Sequence, residues 1–126
     1  MQTISKFIYH RLLGWNFTGF VEFSSVKKAV IIASPHTSWH DFYIGILLRA
    51  IIKIQINFVG KQSLFNPLTG WFFRALGGAP IKRNGNDNQV DAIARLFDNK
   101  EVFRITLAPE GTRKKVDTWK TGFYYI

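Results

Sequence analysis

Cysteine does not occur in this 126-residue chain, and its absence excludes disulfides, thiolate metal sites and cysteine nucleophiles. Acids are scarce: eight Asp and Glu face seventeen Lys and Arg, a formal net charge of +9. The excess is even, +5 over residues 1–63 (seven cations, two acids) and +4 over residues 64–126 (ten cations, six acids). No polybasic tail carries it, so the folded surface itself is expected to be basic. Such a surface favours phosphate-bearing partners: nucleic acid, anionic lipid or a phosphorylated substrate. Long hydrophobic runs are missing too. The most apolar stretch, Phe42 to Ile52, is 11 residues long, contains Arg49 and stops at Lys53; a membrane span needs roughly 20. Nor is the N-terminus a signal peptide, because Lys6, His10 and Arg11 interrupt its apolar residues. There is no internal repeat, low-complexity segment or interdomain linker, and residues 1–126 read as one domain.

What is present is aromatic. Phe, Trp and Tyr make up 16% of the chain and cluster at Trp71-Phe72-Phe73 and Phe123-Tyr124-Tyr125. Basic charge with clustered aromatics suits a membrane surface, where rings sit at headgroup level. It equally suits single-stranded nucleic acid. Trp71, Phe72 and Phe73 either pack against a sheet or serve an acyl-chain groove or membrane contact. Ile4, Phe7, Ile8, Leu12 and Trp15 share one face of a helix over residues 1–16, which packs on its own domain or lies in an interface.

Beyond that helix, strand and helix alternate. Val30 to Ala33 and Ile54 to Val59 read as strands, with a helix from Trp39 to Ile52 between them. Asn66 is the expected N-cap of the next helix, Pro67 its first residue and Gly77-Gly78 its stop. Ala79-Pro80-Ile81 begins a third strand, confined by its proline to an edge or a strand start. A helix over 88–98 and a strand over 102–108 follow. The alternation implies an α/β domain with a largely parallel sheet flanked by helices. Ligands of such sheets collect beyond the carboxyl ends of the strands. Those ends carry Ser34-Pro35-His36, Gly60-Lys61, Lys82-Arg83 and the run Pro109 to Arg113. The apolar close at Phe123-Tyr124-Tyr125-Ile126 suggests that a further strand belongs after it, as if the C-terminal part of the domain were missing.

Chemistry centres on His36. Five residues on one helix are separated by about 140° of rotation, so His36 and Asp41 converge only if His36 sits in the loop before the helix. Ser38-x-x-Asp41 supports that arrangement as a capping box. A carboxylate would then fix the imidazole's tautomer and leave its other nitrogen as a base. The alternatives are an ordinary loop histidine with Asp41 as a cap, or His36 and His40 as metal ligands, for which no third ligand is evident. No G-x-S-x-G supplies an enzyme nucleophile, so His36 is expected to activate a substrate hydroxyl. Lys82 and Arg83 suit a phosphate, Arg as a fork and Lys as a point charge, or simply a solvated loop. Glu110-Gly111-Thr112-Arg113-Lys114-Lys115 suits a phosphate-wrapping turn, or a solvated charge run. Gly60-Lys61 is not a P-loop, since Gln55 and Gln62 stand where it needs Gly and Ser or Thr.

Over residues 30 to 122 these segments, in this order, resemble the glycerolphosphate/lysophosphatidate acyltransferase family. His36-x4-Asp41 looks like its H-x4-D motif, Pro80-Ile81-Lys82-Arg83 its second motif, and Glu110-Gly111-Thr112-Arg113 its E-G-T-R motif. The family's fourth motif, a proline-containing strand, would lie beyond Ile126. The resemblance implies acyl transfer from acyl-CoA or acyl carrier protein to the hydroxyl of a lysophospholipid such as a 1-acylglycerol 3-phosphate, in phospholipid biosynthesis. No cofactor or metal beyond that co-substrate is implied. His36 would be the base and Asp41 its partner. Lys61, Arg83, Glu110, Gly111, Thr112 and Arg113 would bind substrate, with Arg83, Thr112 and Arg113 on the acceptor phosphate and Glu110 orienting one of the cations. The implied place is the cytoplasm, peripheral on the anionic inner face of the cell membrane, with no nucleic-acid partner. Competing readings are a basic, aromatic nucleic-acid-binding module and an inactive lipid-binding fragment.

Overall fold

The structure, a computed structural model, describes residues 1–19, 22–81 and 88–126. Its centre is a four-stranded sheet of β1 (Lys28–Ile32), β2 (Asn57–Lys61), β3 (Gly78–Ile81) and β4 (Phe103–Leu107). All pairings are parallel and the spatial order is β1-β4-β2-β3. Helices α2 (His40–Ile52), α3 (Gly70–Ala75) and α4 (Gln89–Asp98) fill the connections between successive strands. The expected α/β class and parallel sheet are therefore present. Pro80 lies in the edge strand β3, where an absent N–H removes no central ladder bond.

Side-chain alternation along the strands separates the layers. Phe103 and Ile105 of β4, 1% and 0% exposed, point to α4, where Ile81 and Ile93 complete the core and Val30, Val59, Leu96, Phe97 and Ile126 pack around it. One residue out of phase, Phe58 points to the other face and meets Phe42 of α2 with ring centroids 5.0 Å apart. The chain steps one way from β1 to β2 to β3 and then back to β4. Right-handed crossovers therefore put α2 and α3 on one face and α4 on the other. Beyond the carboxyl ends of β1 and β4 the chain departs towards different layers, which opens a crevice between those strands.

Three elements differ from their sequence reading. The strand expected over Ile54 to Val59 is β2, which begins at Asn57 and takes in Gly60 and Lys61. Asn66 does accept from the N–H groups of Leu68 and Thr69, as a cap does, yet the regular helix starts only at Gly70. The N-terminal segment is α-helical over α1 (Gln2–Lys6) but continues as a π-helix over Phe7–Leu12. Its wider i→i+5 turns break the 3.6-residue phase. Ser5 and Tyr9 become the buried residues, while Ile4, Phe7, Leu12 and Trp15 stay exposed. Gln2 ties the segment to the far end of α2 by donating to the Ile51 carbonyl (2.8 Å).

Candidate active site

The register Ile32↔Leu107, continued by the Ala33 N–H to the Leu107 carbonyl (2.9 Å), brings the loops after β1 and β4 side by side. In the first loop, His36 Nδ1 lies 3.1 Å from Asp41 Oδ2, and the same oxygen accepts the N–H groups of Thr37 and Ser38, each at 3.1 Å. A carboxylate only accepts, so Nδ1 carries the hydrogen and Nε2 is the free nitrogen. The loop-then-helix geometry required by the five-residue spacing is present. The capping box is half formed: Asp41 reaches back to the Ser38 N–H, but Ser38 Oγ accepts from His40 (3.3 Å) rather than from Asp41. The imidazole and carboxylate are 30% and 35% exposed, wet enough to meet a substrate. His40 turns elsewhere. Its Nδ1 lies 2.6 Å from the Tyr43 hydroxyl and its ring stacks on Trp39.

The second loop fixes the first. Glu110 Oε2 accepts the His36 backbone N–H (2.8 Å) and Oε1 accepts the Ser34 hydroxyl (2.7 Å). The His36 amide, and then the Ser34 hydroxyl, hold the Glu110 carboxyl below the usual carboxylate range. Both oxygens are thus occupied by the loop of His36 rather than by a cation. Gly111 turns the chain at φ +66°, in the left-handed region that glycine adopts without strain. A β-carbon there would sit 3.0 Å from Cε and Nζ of Lys120, whose own N–H returns to the Pro109 carbonyl (2.8 Å). The Thr112 hydroxyl accepts from the Lys114 N–H (3.3 Å).

Between the loops lies a cleft of about 360 Å³ lined by Pro35, His36, Thr37, Glu110, Arg113, Lys114, Lys115 and Val116. Of the sequence-predicted residues it gathers His36, Glu110 and Arg113. Asp41 stands behind His36, and Gly111 and Thr112 shape the turn without lining the cleft. Lys61 ends β2 and is exposed, next to β4 in the strand order. Lys82 and Arg83 lie outside the described residues. Sequence reasoning gave no site role to Ser34, Thr37 or Lys120, and it placed Lys114 and Lys115 in a phosphate-wrapping turn or a solvated charge run without naming either as a site residue. That run was a usable signal. Ser34 was placed at a strand end, but nothing local gave its partner, which is 76 residues away.

Among the described residues no helix is long and apolar enough to cross a membrane, and no three His, Asp or Glu side chains gather as a metal site would require. The sequence matches the acyltransferase family over residues 16–126. It is 29% identical over 129 aligned positions to the chloroplastic 1-acyl-sn-glycerol-3-phosphate acyltransferase of Arabidopsis thaliana, covering 98% of this chain and 34% of that protein. A chloroplastic 1-acyl-sn-glycerol-3-phosphate acyltransferase of Brassica napus is likewise 29% identical over 113 positions, 86% of this chain and 32% of its own. The chain therefore spans about a third of the length of the curated relatives it matches. No solved structure matches it.

Proposed function

The chain belongs to the acyltransferase family, and from that premise we propose that it moves a fatty acyl group from an acyl thioester to the hydroxyl of a lysophospholipid of the 1-acylglycerol 3-phosphate kind, in phospholipid synthesis. The observation that carries the reading is the His36–Asp41 contact of 3.1 Å through Nδ1, which leaves Nε2 free beside a wall formed by Arg113, Lys114 and Lys115. A base and an anion-binding wall within one cleft suit an acceptor whose hydroxyl and phosphate are a few bonds apart.

In this mechanism Nε2 takes the acceptor's hydroxyl proton as the oxygen attacks the thioester carbonyl, and Asp41 stabilises the imidazolium that forms. The tetrahedral intermediate expels the thiolate, which takes the proton back from His36. The products are the ester and a free thiol, and no covalent enzyme intermediate forms. A positioned base contributes roughly 100- to 10,000-fold. Arg113, with Lys114 and Lys115, grips the acceptor phosphate; Thr112 and Gly111 shape that loop, and Lys61 adds a cation at the exposed end of β2. Arg83, outside the described residues, is assigned to the same phosphate from its place in the Pro80-Ile81-Lys82-Arg83 motif alone. Glu110 is a positioning residue that holds the His36 loop. The donor is acyl-CoA or acyl carrier protein, and the protein works on the surface of an anionic membrane, on its cytoplasmic side. The basic surface and the exposed N-terminal residues Ile4, Phe7, Leu12 and Trp15 support that placement.

The deciding experiment is thiol release from acyl-CoA in the presence of lysophosphatidate, comparing wild type with His36→Ala. Wild type turns over and the variant loses at least roughly 100-fold. Equal rates in the two would sink the mechanism.

A further inference from the structure

Between Lys61 and α3 the chain makes a turn, Asn66-Pro67-Leu68-Thr69-Gly70-Trp71, whose construction the catalytic reading does not use. Because α3 must run back to the start of β3, the turn stands at the carboxyl end of the sheet, the end that carries His36 and Glu110. Its tip is apolar and open: Leu68 is 84% and Trp71 68% exposed, and Leu64 and Phe72 are exposed beside them.

The polar groups of the turn, by contrast, look inward. Pro67 has no N–H. The N–H groups of Leu68 and Thr69 donate to Asn66 Oδ1 at 2.9 and 3.0 Å, and that of Gly70 to the Asn66 carbonyl at 2.7 Å. The Thr69 hydroxyl donates to the Leu64 carbonyl (2.7 Å), the Asn66 amide to Ser63 (3.3 Å) and the Trp71 indole to the Leu68 carbonyl (3.0 Å). Such bonding is usual for an Asn-capped turn, and it lets this tip leave water without stranding those donors in a low-dielectric layer. The tip is also stiff. Phe65 is buried beneath it, and a β-carbon on Gly70 would lie 2.8 Å from the Phe65 backbone.

Charge names the layer. From Phe42 to Asn86 the chain has six Lys and Arg and no Asp or Glu. Two of the six flank the tip: Lys61 ends β2, and Arg74 lies over the Phe65 ring at 5.6 Å. Apolar tip, internally satisfied donors and a cationic collar without acids match the acyl-to-headgroup boundary of an anionic bilayer. We propose that the Asn66–Trp71 turn is a membrane-inserting tip, its partner a bilayer containing anionic phospholipid, and that it sets the catalytic cleft at the lipid surface. The inference rests on the reading that the acceptor is a lipid.

The test uses the full chain with phosphatidylcholine vesicles, with and without phosphatidylglycerol, read by co-sedimentation. Leu68→Ser and Trp71→Ser, both at exposed positions and checked for unchanged circular dichroism, each weaken partitioning roughly tenfold. Brominated acyl chains quench tryptophan emission in wild type and distinctly less in Trp71→Ser. Thiol release with vesicle-embedded acceptor falls in step, while turnover of a water-soluble short-chain acceptor holds. His36→Ala partitions like wild type; if it also keeps releasing thiol, the catalytic mechanism fails and the docking stands. Partitioning that ignores both substitutions overturns the docking alone, as does a vesicle-free dimer that Trp71→Ser dissolves.

Discussion

Glu110 accepts the backbone N–H of His36 at 2.8 Å across 74 residues of sequence. The imidazole is therefore held twice, by its ring through Asp41 and by its main chain through Glu110. Parallel pairing of β1 with β4 makes the second hold possible, because it sets the two strand ends level.

If Asp41 fixes the tautomer, Asp41→Asn is the sharpest probe of it. All three donors meet the one oxygen Oδ2, so the asparagine either keeps an uncharged oxygen there, which stabilises the imidazolium less, or turns its amide in, which loses the Thr37 and Ser38 bonds and favours the opposite tautomer. We expect kcat to fall by roughly 100- to 10,000-fold with KM little changed, measured by steady-state thiol release.

Glu110→Gln tests the main-chain hold. Glutamine keeps one uncharged acceptor and puts an NH2 donor in place of the other, and a slightly misplaced His36 lowers kcat on the order of 10- to 100-fold. The pH dependence of stability separates this role from a contact with substrate. The Glu110 pKa is depressed in the folded protein, so its stabilisation is complete above the ordinary carboxylate value and is lost as pH falls through the folded value. Thermal scans should show wild type more stable than the variant at neutral pH, with the two converging in acid.

Lys114→Ala and Lys115→Ala remove cations from the cleft wall. Each is expected to raise KM for a phosphate-bearing acceptor roughly fivefold to tenfold, with kcat less affected, and the penalty should shrink as salt rises. Lys61→Ala, at an exposed strand end outside the cleft, should do less in the same titration.

The core makes a prediction independent of catalysis. Ile105 is wholly buried in the central strand β4, so Ile105→Ala should cost about 2–5 kcal/mol of stability through lost burial and the cavity left behind. Asn88→Ala, which removes the side chain capping α4 through the Val90 N–H, should cost about 1 kcal/mol. Denaturant midpoints at constant slope would check both.

The sequence by itself determined what depends on near neighbours. Short apolar runs marked the strands, proline confined β3 to an edge or a strand start, and apolar spacing marked the helix over 88–98. His36-x4-Asp41 was legible as a loop-held pair because five residues contain the whole geometry. Local pattern misled where tertiary contacts set the phase: Ile4, Phe7 and Leu12 form a stripe at ideal helical spacing, yet the segment packs on α2 with Ser5 and Tyr9 buried instead. It was also blind to the role of Ser34, whose hydroxyl finds Glu110 only because β4 inserts between β1 and β2. The strand order decided that Glu110 would hold the His36 loop rather than a cation, and that Arg113, Lys114 and Lys115 would share a cleft with the imidazole. Such contacts join residues more than 70 positions apart, and no periodicity along the chain encodes them.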